Sequence, residues 1–282
     1  MILRLLFMLA ALSLFLTASA VAQSDALNTA WRQTHALFVA RKYSEAETWA
    51  KQAIDLAKTE SGTESIAYAT SLNNLAALYL AQSNYAEAEP LCQYALAIRE
   101  KALGPYDPIV ATSLDTLGEL YDDQARYLDA EPFYERALGI REKVLGSDDP
   151  TIAISLNNLA SLYEEEGRLA DAEPLFKRAL AINEKTLGPD HLDVATSLAN
   201  LADLYRAQGH YDQAVPLYKR ALAINEKMLG PEDPTVATTL IELSQVYRAQ
   251  GNSAEAESLE QRALAIRAGT GDQAHPSSSE KP

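Results

Sequence analysis

The octapeptide Leu103-Gly-Pro-Tyr-Asp-Pro-Ile-Val110 returns three times along the chain. It reappears as Leu145-Gly-Ser-Asp-Asp-Pro-Thr-Ile152, Leu187-Gly-Pro-Asp-His-Leu-Asp-Val194 and Leu229-Gly-Pro-Glu-Asp-Pro-Thr-Val236, each time 42 residues further on and without insertion or deletion. A fixed period of this length means that one small structural unit is stacked repeatedly, each copy burying its apolar side against the next. Such a chain has no single globular core in which to place a catalytic pocket. Its binding capacity lies on a long surface.

Within one period the residue order predicts two helices. Asp107 before Pro108 has the form of an N-cap followed by proline at the first helical position, where a missing N–H costs nothing. Leu114, Leu117, Gly118 and Tyr121 then recur at i, i+3, i+4 and i+7, the apolar stripe of an amphipathic helix. The break at Asp122-Asp123-Gln124-Ala125-Arg126 ends this first helix; later copies carry Gly167, Gly209 and Gly251 there, suited to a left-handed turn. A second helix follows with Ala130, Tyr134, Ala137, Leu138 and Ile140, closed by glycine and proline of the next octapeptide. Small residues at Ala130 and Ala137 let the helices approach closely. The tyrosines at Tyr79, Tyr121, Tyr163, Tyr205 and Tyr247 are packing residues at helical spacing, not an aromatic ligand box. Pro90, Pro132, Pro174 and Pro216 fall early in the second helices and cost at most one hydrogen bond each.

The pattern Leu-x2-Leu-small-x2-Tyr, then alanine, aromatic and alanine resembles the tetratricopeptide repeat. The 42-residue spacing and segments such as Ser155-Leu-Asn-Asn-Leu-Ala160 and Ala172-Glu-Pro-Leu-Phe-Lys-Arg-Ala-Leu-Ala-Ile-Asn-Glu-Lys185 are similar to its kinesin-light-chain subtype. The resemblance implies an all-α fold, an α-solenoid of about six antiparallel helix pairs at roughly 26–60, 66–102, 108–144, 150–186, 192–228 and 234–268. It also implies a concave face lined by the first helices, gripping an extended peptide or a partner protein. The upstream pair matches well in its second helix, Tyr43 to Leu56. In its first helix the core positions are either Ala30, Gln33, Thr34 and Leu37 or, one residue on, Trp31, Thr34, His35 and Phe38. At the other end Ser253 and Glu260 replace aromatic residues, as suits a terminal unit that meets water.

Ahead of the array, Arg4 precedes an apolar run from Leu5 to Leu16 and the small residues Ala18-Ser-Ala-Val-Ala22. This is the pattern of an export signal cleaved before Gln23, with a membrane tether by an uncleaved segment as the alternative. Residues 1–22 are read as signal peptide and 23–268 as repeat array; 269–282, rich in serine, glycine and proline, are read as a disordered tail. The expected location is the bacterial periplasm or the exterior, with no stable membrane insertion once the signal is removed. A single cysteine, Cys92, excludes an internal disulfide framework; it falls on a core position shared with Tyr134, Phe176 and Tyr218.

A formal net charge of −15 lacks the basic field that nucleic acid requires. The partner expected is a protein or peptide, with basic segments as one possibility, bound without a cofactor. Candidate contacts lie on the outward positions of the first helices. Asn74, Asn158 and Asn200 occupy equivalent sites, with Thr116 and Glu242 in the same register, and a carboxamide can pair with any peptide backbone. Asp115, Glu119, Asp122 and Glu164 supply an acidic middle; Arg206 and Arg248 supply a basic end. His35, His191, His210 and His275 have no partner at metal-ligand or triad spacing, so the chain is read as a non-enzyme. A structural, self-assembling role in an envelope complex is the competing reading.

Overall fold

A computed structural model describes residues 24–269, and both the signal segment and the tail read from the sequence lie outside them. The described residues form twelve helices and no strand. In chain order they are α1 (Asp25–Val39), α2 (Tyr43–Ser61), α3 (Ile66–Leu80), α4 (Tyr85–Leu103), α5 (Pro108–Asp122), α6 (Tyr127–Leu145), α7 (Pro150–Glu165), α8 (Leu169–Leu187), α9 (Leu192–Ala207), α10 (Tyr211–Leu229), α11 (Pro234–Ala249) and α12 (Ser253–Gly269). They fall into two compact units divided between Ser147 and Asp148. The first unit holds the pairs α1/α2, α3/α4 and α5/α6; the second holds α7/α8, α9/α10 and α11/α12. Inside each unit every helix packs on its sequence neighbours, and first helices also touch first helices.

Local chemistry sets the helix ends. Asp107, Asp149 and Asp233 each accept a hydrogen bond from the backbone N–H two residues on, at 2.8 Å. Ser24 and Ser65 cap α1 and α3 with their hydroxyls. His191 fills the same place before α9, its Nδ1 accepting from the Asp193 N–H at 3.2 Å. Each such cap is worth about 1 kcal/mol. The turn from first to second helix needs a residue with positive φ. Gly167, Gly209 and Gly251 supply it in the second unit, whereas Arg41, Ser83 and Ala125 adopt φ of 56–58° in the first. Side chains there are strained by the contact of Cβ with the following carbonyl.

The expected core is observed. Leu114, Leu117, Ala130, Ala137 and Ile140 are buried, as are Cys92, Tyr134, Phe176 and Tyr218 at the shared position. Burial pushes the Cys92 thiol up to about 12, so it behaves as a small apolar side chain. Gly118 is required by its neighbour, since a Cβ there would lie 2.7 Å from the Tyr134 ring. The first-helix tyrosines pack and also reach back to the preceding second helix. Tyr79, Tyr121 and Tyr205 donate to Glu47, Glu89 and Glu173 at 3.1, 2.8 and 3.3 Å.

The first helix of the array departs from both registers read in its sequence. Its buried residues are Leu27, Ala30, Thr34 and Phe38. Trp31 is only half-buried because its indole N–H is drawn to Ser71 Oγ, 2.9 Å away on α3. At the far end Glu260 is neither core nor idle. It accepts from Arg248 at 2.7 Å and from Ser244 Oγ at 3.2 Å, converting the aromatic position into a polar clasp.

A column of polar residues at the end of the second helices joins successive pairs. Arg99 donates to Ser113 Oγ at 2.6 Å, Asn183 to Ser197 Oγ at 3.0 Å and Asn225 to Thr239 Oγ1 at 3.2 Å, all buried and each spanning 14 residues. On the outside, exposed ion pairs repeat the same register: Lys101–Glu64, Arg136–Glu100, Lys227–Asp190 and Arg262–Glu226 at 2.5–2.6 Å. Being exposed, they add little to stability.

Two substitutions test this architecture. Ala125→Gly should relieve the strained turn and stabilise the chain by roughly 0.5–1 kcal/mol, read as a melting temperature higher by a few degrees. Ala172→Trp, at a fully buried site between α7 and α8, should abolish cooperative melting of the second unit, seen by circular dichroism.

Candidate functional site

Outward positions of the first helices form three rows at the 42-residue spacing. In the first unit, α3 and α5 offer Asn74 and Thr116 in one row, Ala77 and Glu119 in the next, and Leu80 and Asp122 in the third. In the second unit, α7, α9 and α11 offer Asn158, Asn200 and Glu242; Ser161, Asp203 and Gln245; and Glu164, Arg206 and Arg248.

The first unit's candidates are mostly buried. Asn74 and Asp122 are about 6% exposed, and Glu119 is half-buried. Asp115 pairs with Arg141 of α6 at 2.5 Å in a nearly enclosed ion pair. Burial raises the Asp115 carboxyl above the usual range, and Arg141 opposes that rise. Asp115 therefore holds α5 to α6 as part of the scaffold.

The second unit brings its candidates together. Asp203 is the centre: its Oδ1 accepts both the Tyr218 hydroxyl at 2.6 Å and the Arg206 guanidinium at 2.8 Å. Glu164 on α7 and Glu242 on α11 face this group from either side and form no hydrogen bond or ion pair among the described residues. Burial pushes the Glu164 carboxyl up to about 7, and the charge of Asp203 adds to the rise against the pull of Arg206. The same causes, in the same order, push Glu242 up to about 8. Burial also raises the Tyr218 phenol, with Asp203 adding to it. One turn before Asp203 on the same face, Asn200 is about 5% exposed and its Nδ2 has no hydrogen-bond partner. Arg206 Nε is likewise buried and unfilled. Asn158 is half-buried beside this group on α7, whereas Arg248 is turned to Glu260.

Asp203 and Tyr218 escaped the sequence reading. The available signal was the helical spacing Asn200, Asp203, Arg206 on one face of α9, which comparison of copies 42 residues apart does not reveal. The remaining histidines are dispersed: His35 lies on α1, His191 caps α9, and His210 precedes α10 with Nδ1 3.1 Å from Gln208 Oε1. Among the described residues no cluster of histidine, cysteine and carboxylate groups has metal-binding geometry, and no helix is long and apolar enough to cross a membrane.

The tetratricopeptide repeat family model matches residues 25–91, 68–143, 151–227 and 216–268, and the chain belongs to that family. Among solved structures it is similar to BtubC (BKLC) from P. vanneervenii, with 27% identity over 93% of this chain and 97% of that one and a TM-score of 0.68. It is also similar to the nearly identical repeats of a putative kinesin light chain from Podosopora anserina, at 31% identity, 71% and 95% coverage and a TM-score of 0.61. A Rap protein in complex with competence and sporulation factor shares the fold at 17% identity, 90% and 78% coverage and a TM-score of 0.62. No curated protein matches the chain in sequence.

The raised carboxyl of Glu242 has a consequence for stability. A carboxylate whose folded pKa exceeds its unfolded one binds more protons when folded, so its ionisation costs stability as pH rises through the interval between the two. Glu242→Gln should therefore raise the melting temperature progressively from about pH 5 to about pH 8 and have little effect below pH 4.5. A pH series of thermal melts of both proteins measures this.

Proposed function

We propose that the chain is a non-catalytic scaffold that holds a partner protein or an extended peptide along the face of its first helices, the face expected to be concave. The observation that carries this reading is Asn200: a buried carboxamide on a rigid helix whose donor is unfilled. A buried donor without a partner costs about 1–3 kcal/mol, and a peptide carbonyl laid along the face would satisfy it. Asn158 stands at the equivalent place on α7 and can serve the same backbone one unit away. The tetratricopeptide repeat fold is typical of interaction scaffolds. The acidic balance of the site, Glu164, Asp203 and Glu242 against Arg206, favours a partner with basic segments. The N-terminal pattern supports action outside the cytoplasm, in the periplasm or beyond, with the signal removed before Gln23; N-terminal sequencing of the protein from its host tests that.

The scaffold reading is tested by affinity capture from the host's envelope extract, with mass-spectrometric identification of what is bound. Asn158→Ala combined with Asn200→Ala should lower recovery of the partner at least ~10-fold, about 1.4 kcal/mol, while helicity is unchanged. Full recovery on the double variant would contradict the assignment.

A further inference from the structure

We propose that the face of α9 carries a cation subsite, walled by Glu164, Asp203 and Glu242 and completed by Asn200, that takes the ammonium or guanidinium end of one basic side chain of the bound peptide. The inference rests on the scaffold reading and adds to it the chemistry of an anchor residue. Three carboxylates meet a single guanidinium here, and Arg206 spends its Nη2 on Asp203 Oδ1, the oxygen that already receives Tyr218. Asp203 Oδ2 and both glutamates thus accept nothing from the described residues. Three helices contribute, and α9 touches both α7 and α11, so the carboxylates converge from a rigid frame. Asn200 supplies the independent sign of a ligand. Its unfilled Nδ2 is a donor, which a cation cannot satisfy but the main-chain carbonyl of a basic residue can. Carboxamide and carboxylates together match the two ends of a lysine or arginine residue, one holding the backbone and the others the charged tip.

The same placement makes the subsite proton-linked. The groups that face it are Glu164 and Glu165 from α7, Asp203 and Arg206 from α9, Tyr218 from α10 and Glu242 from α11. With no ligand, repulsion and burial hold protons on Glu164 up to about pH 7 and on Glu242 up to about pH 8. An arriving cation supplies the missing countercharge and releases those protons, so binding strengthens as pH rises through this range.

The test is panning of a displayed random nonapeptide library on the purified chain at about pH 8.5, alongside Glu164→Gln combined with Glu242→Gln. These two changes remove repulsion without altering shape, and circular dichroism confirms the fold. The expected result is enrichment of lysine or arginine at one fixed position, at least ~10-fold above other residues and lost in the double variant. The best enriched peptide should bind at least ~10-fold more weakly at pH 6 than at pH 8.5, a difference the double variant should not show. Enriched peptides with no basic position, or an equal preference in the double variant, would overturn the subsite and leave the scaffold reading standing. Failure to enrich any peptide would overturn both.

Discussion

The whole chain depends on how closely two helices can approach across an alanine. Ala88, Ala130, Ala172, Ala214 and Ala256 are fully buried at one position of the second helices, and Ala53, Ala95, Ala137, Ala179, Ala221 and Ala263 at another. A methyl group is all that separates the backbones there, so pair geometry repeats wherever alanine repeats. Close-packed interiors do not absorb an added methylene cheaply. Gly118 shows how tight the fit is: the Tyr134 ring occupies the space an alanine would need. The first-helix face, on which the candidate site sits, inherits its regularity from these contacts.

Between pairs, a second set of interactions holds the register and varies more. The buried donors run Arg99, Arg141, Asn183 and Asn225 along the chain, facing hydroxyls or, for Arg141, the carboxylate of Asp115. Arginines serve in the first unit and asparagines in the second, with a shorter reach and no charge to neutralise. The second unit thereby leaves its carboxylates available elsewhere. Asp115 is consumed by Arg141, whereas Glu164 and Glu242 face outward with no counterion of their own. The contrast explains why an acidic stretch that looked continuous in sequence is scaffold in one unit and candidate site in the other.

Much of the fold was legible because it is periodic. The Asp-Pro caps, the closing glycines and the leucine and tyrosine positions each recur at 42 residues, and each has a local physical reason that survives packing. The first helix of the array was misread because its register is set from outside the repeat, by the pull of Ser71 on the Trp31 indole. The candidate site was half legible. Asn158, Asn200, Glu164 and Arg206 follow from the outward positions, but Asp203 joins them along the helix and across rows, and Tyr218 joins from a core position. Nor does a sequence state how far a carboxylate is desolvated; that Glu242 holds its proton near neutral pH emerges only once α9 and α11 are packed.

The central claim is that the partner lies on the first helices and not on the second. Site-specific photo-crosslinking in the native host tests it directly. Gln245 is exposed on α11 in the same row as Asp203, and Ala223 is exposed on α10; each is replaced singly by benzoylphenylalanine. The account predicts a discrete crosslinked partner from position 245 and none from position 223. Crosslinking from position 223 alone, or equally from both, would contradict it.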